Sequence, residues 1–353
     1  MRHAGAMRAV MFDTYGVTPV LTDVPEPECD DEGVIVRVHA TGVCRSDWHG
    51  WMGHDPSFLP MVPGHEYAGV VSAVGRSVSR IALGDRVTVP FACGCGYCEI
   101  CVAGNMHVCR SQLQPGFTSW GSFADFVAVP FADTNIVVLP DDVSFIDAAS
   151  LGCRLATAYR AVAKRGRIAP GDWLAVHGCG GVGLSAVHIA VALGARVVAV
   201  DVSAVALEAA RDLGAEVVVL AADGVYVADA IAEATGGGAH VSIDAFGSIA
   251  TMRASIECLR VLGRHVQIGL MLGEAADSAV PIGRVIAREL ELLGSHGMPA
   301  TDYPELLALV ASGAIQPSTL VGRVIPLEAA GEAVAAMSTP AIGAGMTVVD
   351  LTL

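Results

Sequence analysis

The segment from Trp173 to Leu193 constrains this chain more than any other. A short apolar run, Trp173–His177, leads directly into Gly178-Cys179-Gly180-Gly181-Val182-Gly183, and residues with helical spacing follow from Val182 to Leu193. A strand that turns through G-x-G-x-x-G into a helix opens a dinucleotide-binding βαβ unit, and its glycines have mechanical tasks. Gly178 allows the tight turn. Gly180 lets a pyrophosphate approach the backbone, and Gly183 lets helix pack close on strand. Gly181 and Val182 begin the helix, whose positive N-terminus would face the phosphates. In a chain with 40 glycines the hexapeptide alone says little; its place between strand and helix gives it weight. A second strand, Arg196–Asp201, ends in an acid 18 residues after Gly183. Asp201 can accept hydrogen bonds from both hydroxyls of a ribose diol and would repel a 2′-phosphate, which favours NAD over NADP.

Strand and helix go on alternating beyond this unit. Ala204–Leu213 reads as helix, Glu216–Leu220 and Val241–Asp244 as strands, Met252–Leu262 as helix and His265–Gly269 as strand. Such alternation argues for a parallel sheet covered on both faces, a doubly wound α/β domain. The first third differs. Val34–Ala40, Tyr67–Val74 and Asp85–Val89 are β-rich runs punctuated by Gly and Pro, which reads as irregular antiparallel β structure. The tail offers helices at 304–312 and 327–337 and a last strand at 347–351.

Hydrophobic residues make up 53% of the chain and charged ones 16%, a balance opposite to that of disordered chains. The net charge of −15 disfavours nucleic acid and anionic membranes as partners. The most apolar stretch, 174–200, is interrupted by His177, His188 and Arg196 and does not read as a membrane span. The N-terminal ten residues lack the apolar core of a secretory signal, so a cytoplasmic location is expected.

Five of the ten Cys fall between positions 93 and 109. Cys95, Cys98, Cys101 and Cys109 are spaced C-x2-C-x2-C-x7-C, which suits a closed tetrahedral Zn²⁺ site of structural type. Cys93 lies too near Cys95 to join it. A catalytic zinc needs about three ligands and an open position. Candidate donors are Cys44 in Gly42-Val43-Cys44-Arg45-Ser46-Asp47, His65 and Glu66 after Gly64, and Cys153 after Leu151-Gly152. From spacing alone these are only candidates, since a lone His or Cys is more often a packed core residue.

The order V-C-R-S-D-W-H, P-G-H-E, four-Cys loop, L-G-C, G-x-G-G-V-G and strand-end Asp resembles the zinc-containing medium-chain alcohol dehydrogenases over essentially the whole chain. The resemblance implies a GroES-like β catalytic domain at 1–154, a Rossmann domain at 155–296 and a return to the catalytic domain at 297–353. It implies two zinc ions per chain, with Cys44, His65 and Cys153 on the catalytic one. Glu66 becomes an electrostatic modulator or exchangeable ligand, and Asp47 fixes the tautomer of His65. The implied activity is hydride transfer between NAD(H) and an alcohol/aldehyde pair, with Ser46 and His49 as a proton relay. An NADPH-dependent aldehyde reductase or a secondary-alcohol dehydrogenase of the same family is the alternative. Arg45 would hold the cofactor pyrophosphate, and Thr157, Val182, Ile268 and Leu270 would border the nicotinamide. Phe91, with Trp48, Trp51 and Trp120 as walls, suits an apolar or aromatic primary alcohol. A homo-oligomer is expected, a tetramer rather than a dimer, with 277–294 offering an edge strand. Two departures remove basic cofactor contacts found in many relatives: Val202-Ser203-Ala204-Val205-Ala206 and Met346. They imply loose NAD binding and fast NADH release. Arg154 stands where a small residue is usual, and the sequence names no partner for it.

Overall fold

The computed structural model describes residues 5–55, 57–339 and 345–353. The chain divides into two compact units, Met1–Ala156 with Gly297–Leu353, and Thr157–His296. The strands in chain order are β1 (Ala6–Met11), β2 (Val20–Pro25), β3 (Val34–Val43), β4 (Glu66–Val74), β5 (Arg86–Thr88), β6 (Phe126–Val129) and β7 (Val137–Val138). They continue with β8 (Trp173–His177), β9 (Arg196–Asp201), β10 (Val217–Leu220), β11 (Ala239–Asp244), β12 (Leu259–Gln267) and β13 (Glu291–Gly294). The last two are β14 (Val321–Ile325) and β15 (Met346–Asp350).

In the first unit β1 and β2 form an antiparallel hairpin. A seven-stranded sheet runs β14-β15-β3-β4-β5-β7, with β6 also paired to β3. All its pairings are antiparallel except that of β14 with β15. Its centre is β3, whose residues are nearly all buried. Val34, Val36, Val38, Tyr67, Val71, Val87 and Val127 fill one core, and Val10, Phe12, Trp51, Met61 and Phe123 belong to another. The pairing of β3 with β4 sets Gly42 opposite Glu66.

In the second unit six parallel strands follow the order β10-β9-β8-β11-β12-β13, the doubly wound dinucleotide-binding order. Their composition explains the arrangement. Every residue of β8 and the interior of β9 are buried, as in strands covered by helices on both faces. β13 is an edge of this sheet, shorter than the expected 277–294 segment, which also contains the helix Ile282–Arg288.

One expected helix is corrected. Helix occupies Ile249–Glu257, started by a Ser248–Thr251 capping box, and residues 259–262 are strand. Leu259 pairs with Ala239 of β11, and the register then shifts so that Arg264 pairs with Val241. Leu262, at φ +61, is part of that irregularity. Apolar spacing alone could not separate this strand from a continuing helix, because the extra residues of the irregularity break strand alternation. The helix Val227–Thr235 and strands β2 and β14 were not anticipated.

Candidate functional site

In the first unit, donor atoms of Cys44, His65, Glu66 and Cys153 lie within 4.8 Å of one another, all four residues buried. Cys44 follows β3 and caps the helix Arg45–Trp51. His65 and Glu66 enter β4 after Gly64, whose φ of +98 suits glycine. A Cβ on Gly64 would press on Ser122 Oγ at 2.7 Å and Phe123 N at 2.8 Å. Cys153 arrives on a chain that passes β4 so closely that a Cβ on Gly152 would sit 3.0 Å from Glu66 Cα.

Asp47 binds two of these segments together. Its Oδ1 accepts from His65 Nδ1 at 2.9 Å and from the Gly64 amide at 3.1 Å. Its Oδ2 accepts from the Cys44 amide at 2.8 Å. With Nδ1 carrying the proton toward Asp47, His65 Nε2 is left with a lone pair, and this buried atom has no hydrogen-bond partner. Two thiols and an unpartnered imidazole nitrogen form a donor set that fits Zn²⁺. The Cys44 thiol is held well below its ordinary range: the Cys153 thiol hydrogen-bonds to it, burial opposes, and His65 and Arg154 reinforce the shift. Burial pushes the pKa of His65 down, but the Asp47 carboxylate and Cys44 together outweigh it and raise it above its ordinary range.

Glu66 is engaged elsewhere. Its Oε1 accepts from the Arg154 amide at 3.0 Å and from Nε at 2.9 Å, and its Oε2 pairs with the other arm of the guanidinium. Both side chains are buried. Arg154 thus has a partner 88 residues away in sequence.

Two phenyl rings face His65: Phe91 at 6.0 Å, edge-on, and Phe117 at 5.0 Å. Phe117 was not anticipated, since it lies in a Gly- and Ser-bearing loop with no pattern to single it out. The structure spends Trp51 on the core, 5% exposed with its indole N–H donating to Val17 O at 2.6 Å. Trp120 donates to Pro60 O at 3.0 Å and Trp48 to Ser338 Oγ at 2.9 Å, both packed against that core. Ser46 Oγ is 3.9 Å from Cys44 Sγ. His49 sits edge-on to Trp48, and its Nδ1 is 3.2 Å from Nδ1 of His54, a neighbour that no motif singles out. Burial, His54 and Arg45 lower the pKa of His49. Arg45 donates to Met337 O at 2.5 Å with its guanidinium over the Trp48 ring.

The second group is Cys95, Cys98, Cys101 and Cys109, whose sulfur atoms also lie within 4.8 Å of one another. Zn–S bonds of about 2.3 Å give a tetrahedron with edges of about 3.8 Å. The sulfur separations are 3.9 Å for Cys95–Cys101, 3.8 Å for Cys98–Cys109 and 3.6 Å for Cys95–Cys109. All are free thiols rather than disulfides. Cys93 stands apart: burial pushes its thiol up to about 12, and it packs with Tyr67 and Val89.

In the second unit, Gly178 has φ +92, and a Cβ there would meet Phe246 at 3.0 Å. Gly180 faces open space, and a Cβ on Gly183 would strike the Gly178 carbonyl. Gly181 begins the twelve-residue helix Gly181–Ala192, with Val182 half-buried in its first turn. Asp201 is oriented by backbone donors, Cys179 N at 2.7 Å and Ser203 N at 2.8 Å. Residues 202–205 are exposed and carry no cation. Ile268 and Leu270 follow β12, and Thr157 Oγ1 is buried without a partner. Met346, in the first unit, is buried in β15. The open cradle over Gly180 and the uncapped helix N-terminus fit a dinucleotide pyrophosphate.

Residues 30–141 match the family model described as alcohol dehydrogenase GroES-like domain, and residues 181–312 match zinc-binding dehydrogenase. An alcohol dehydrogenase of Geobacillus stearothermophilus is 34% identical, over 91% of this chain and 93% of its own. Among solved structures, the alcohol dehydrogenase TADH from Thermus sp. ATN1 superimposes with TM-score 0.89 at 30% identity, covering 98% of this chain and 99% of its own. A zinc-binding dehydrogenase from Sinorhizobium meliloti 1021 bound to NADP matches with TM-score 0.86 at 30% identity, covering 98% of this chain and 99% of its own. Family models, relatives and the two clusters of metal-donor side chains agree: the chain belongs to the zinc-containing medium-chain alcohol dehydrogenases.

Proposed function

We propose that this protein is an NAD-dependent dehydrogenase of apolar or aromatic primary alcohols that carries two zinc ions per chain. The observation that carries this reading is His65 Nε2, a buried and unpartnered imidazole nitrogen held beside two thiols by Asp47. Cys44, His65 and Cys153 would hold the catalytic zinc, and Cys95, Cys98, Cys101 and Cys109 the structural one. Bound there, the catalytic zinc supplies Lewis acidity that lowers the pKa of an alcohol hydroxyl. NAD supplies the hydride acceptor.

Oxidation takes a hydride from carbon and a proton from oxygen, and the chain's own residues manage the proton. Ser46 Oγ would accept it while giving up its own hydroxyl proton, and His49 would carry the released proton toward solvent, its lowered pKa keeping the imidazole neutral and ready to accept. Phe91 and Phe117 keep water from His65 and favour an apolar substrate. Residues 155–296 would form the NAD domain, with Gly178, Gly180, Gly181 and Gly183 admitting the pyrophosphate and Asp201 accepting from the ribose diol. Val182, Thr157, Ile268 and Leu270 would line the nicotinamide side and Arg45 the pyrophosphate. The cationless run Val202–Ala206 supports NAD, since it offers nothing to pair with a 2′-phosphate. We assign the protein to the cytoplasm as a homo-tetramer, with six of its ten cysteines required as reduced ligands.

The test is turnover of an alcohol panel with NAD and with NADP, on enzyme whose zinc content has been measured. Benzyl-type alcohols with NAD should outrun polyols, and metal analysis should return two zinc per chain. Preference for NADP, or one zinc per chain, would overturn the reading.

A further inference from the structure

Glu66 has an oxygen within reach of the Cys44, His65 and Cys153 donors, yet its carboxylate is turned onto Arg154. A carboxylate has two oxygens and about four lone-pair sites. Three are taken by the Arg154 amide, Nε and the second arm of its guanidinium. The backbone donor matters, because it ties the carboxylate to the main chain immediately after Cys153. The fold makes room for this pair at Gly42, opposite Glu66 on β3. A Cβ there would strike Glu66 Oε2 and lie 2.8 Å from the Arg154 guanidinium. Charge balance points the same way. Zn²⁺ with two thiolates is neutral, so the buried carboxylates of Asp47 and Glu66 add two negative charges, and Arg154 cancels the one on Glu66.

We propose that Arg154 is a positioning residue: it fixes Glu66 as a static counter-charge beside the metal set and keeps its carboxylate from exchanging onto the metal. This rests on the zinc reading given above. Freed from Arg154, Glu66 can enter the metal's coordination and help displace a ligand, which opens a route for metal loss.

The test follows zinc transfer from the intact protein to excess chelating dye. Arg154→Gln should speed release of one of two zinc ions by about tenfold or more, the scale seen when partners of metal ligands are lost. Glu66→Gln alone should change it little. The double variant, a neutral pair of similar shape that avoids a lone buried charge, should return release close to the wild-type rate. Release from Arg154→Gln at the wild-type rate, or a double variant as fast as Arg154→Gln, would overturn the proposal. Cys44→Ser separates the two readings: if it holds as much zinc as wild type, the catalytic zinc reading fails and this proposal falls with it. If it loses one zinc while Arg154→Gln releases normally, only the role of Arg154 fails. Should Arg154→Gln not fold, Arg154→Lys keeps the charge but loses the fork, and faster release that Glu66→Gln suppresses is again the expected result.

Discussion

Replacing Asp47 with Asn tests the geometry of the metal set with almost no change of shape. Asp47 is 1% exposed and accepts three hydrogen bonds, two on Oδ1 and one on Oδ2. An amide cannot reproduce this. With its oxygen toward His65 and Gly64, its NH₂ confronts the Cys44 amide, donor against donor. Flipped, its oxygen serves Cys44, but its NH₂ confronts the Gly64 amide and donates to His65 Nδ1. That second orientation moves the imidazole proton to Nε2, the atom that must face the metal. Either way one buried N–H loses its acceptor, at about 1–3 kcal/mol, and the negative charge behind the imidazole is gone. Losses of this kind weaken metal binding about 10–100-fold, or about 1.4–2.7 kcal/mol. The assay is competition with a chelator of known affinity. One zinc should weaken by that factor, while the other, on Cys95, Cys98, Cys101 and Cys109, should hold as in wild type and so report an intact fold. If Asp47→Asn keeps both zinc ions at wild-type affinity, the tautomer argument is wrong.

Three further outcomes follow from the same structure. His177 and His265 are buried in the second unit, and burial pushes them down to about 3 and about 4. Their neutral forms stabilise the fold above pH 6.5, and that stability is lost as pH falls toward their folded values. The unfolded chain binds protons first, so by pH 5 each costs about 2 kcal/mol. In denaturant titrations followed by Trp173, His177→Asn with His265→Asn should flatten the pH 7-to-5 dependence by about 4 kcal/mol; an unchanged slope would contradict this. At His49, burial, His54 and Arg45 lower the pKa while Cys44 and Asp55 raise it. Replacing His54 with Leu removes one lowering charge and should move the acid limb of alcohol oxidation to higher pH, whereas an unmoved limb would separate His49 from the proton path. NADH should bind loosely, and a nanomolar dissociation constant in a fluorescence titration would show that the missing cations near Ala206 and Met346 do not matter.

The parts legible in the sequence are those where one short segment carries its own physics. The Trp173–His177 strand, the glycine turn and the helix after it can be read because backbone geometry demands glycine at fixed offsets. The four-Cys loop can be read because a tetrahedron of sulfur needs close spacing. The second metal set was different: Cys44, His65 and Cys153 are spread over 110 positions, and only family resemblance joined them. Arg154 could not be matched to Glu66, because an ion pair across 88 residues leaves no local pattern. Phe117 and His54 were missed for the same reason. The misread at 259–262 shows the reverse problem, in which a local pattern was present but a register irregularity in β12 broke its period.

The surplus of acidic residues becomes intelligible once the work of the few cations is set out. Arg154 is consumed by Glu66, which leaves Arg45, resting on the Met337 carbonyl and the Trp48 ring with its charge uncancelled by them, as the one cation proposed for the pyrophosphate. Many other arginines are paired with carboxylates, as Arg196 is with Glu216 and Arg167 with Glu291. An anionic dinucleotide must therefore be held mainly by neutral donors. The glycine turn and the N-terminus of Gly181–Ala192 provide them, with no acidic side chain in the first turn of that helix. Asp201 would seem to oppose this, but its carboxylate is already solvated by the Cys179 and Ser203 amides. Each of its oxygens keeps a lone pair that a ribose hydroxyl could use, and its charge would act chiefly against a second phosphate. Backbone donors bind through short-range geometry, while clustered cations bind through long-range attraction. A chain with net charge −15 that relied on the former would discriminate by shape and release its product without a strong electrostatic hold.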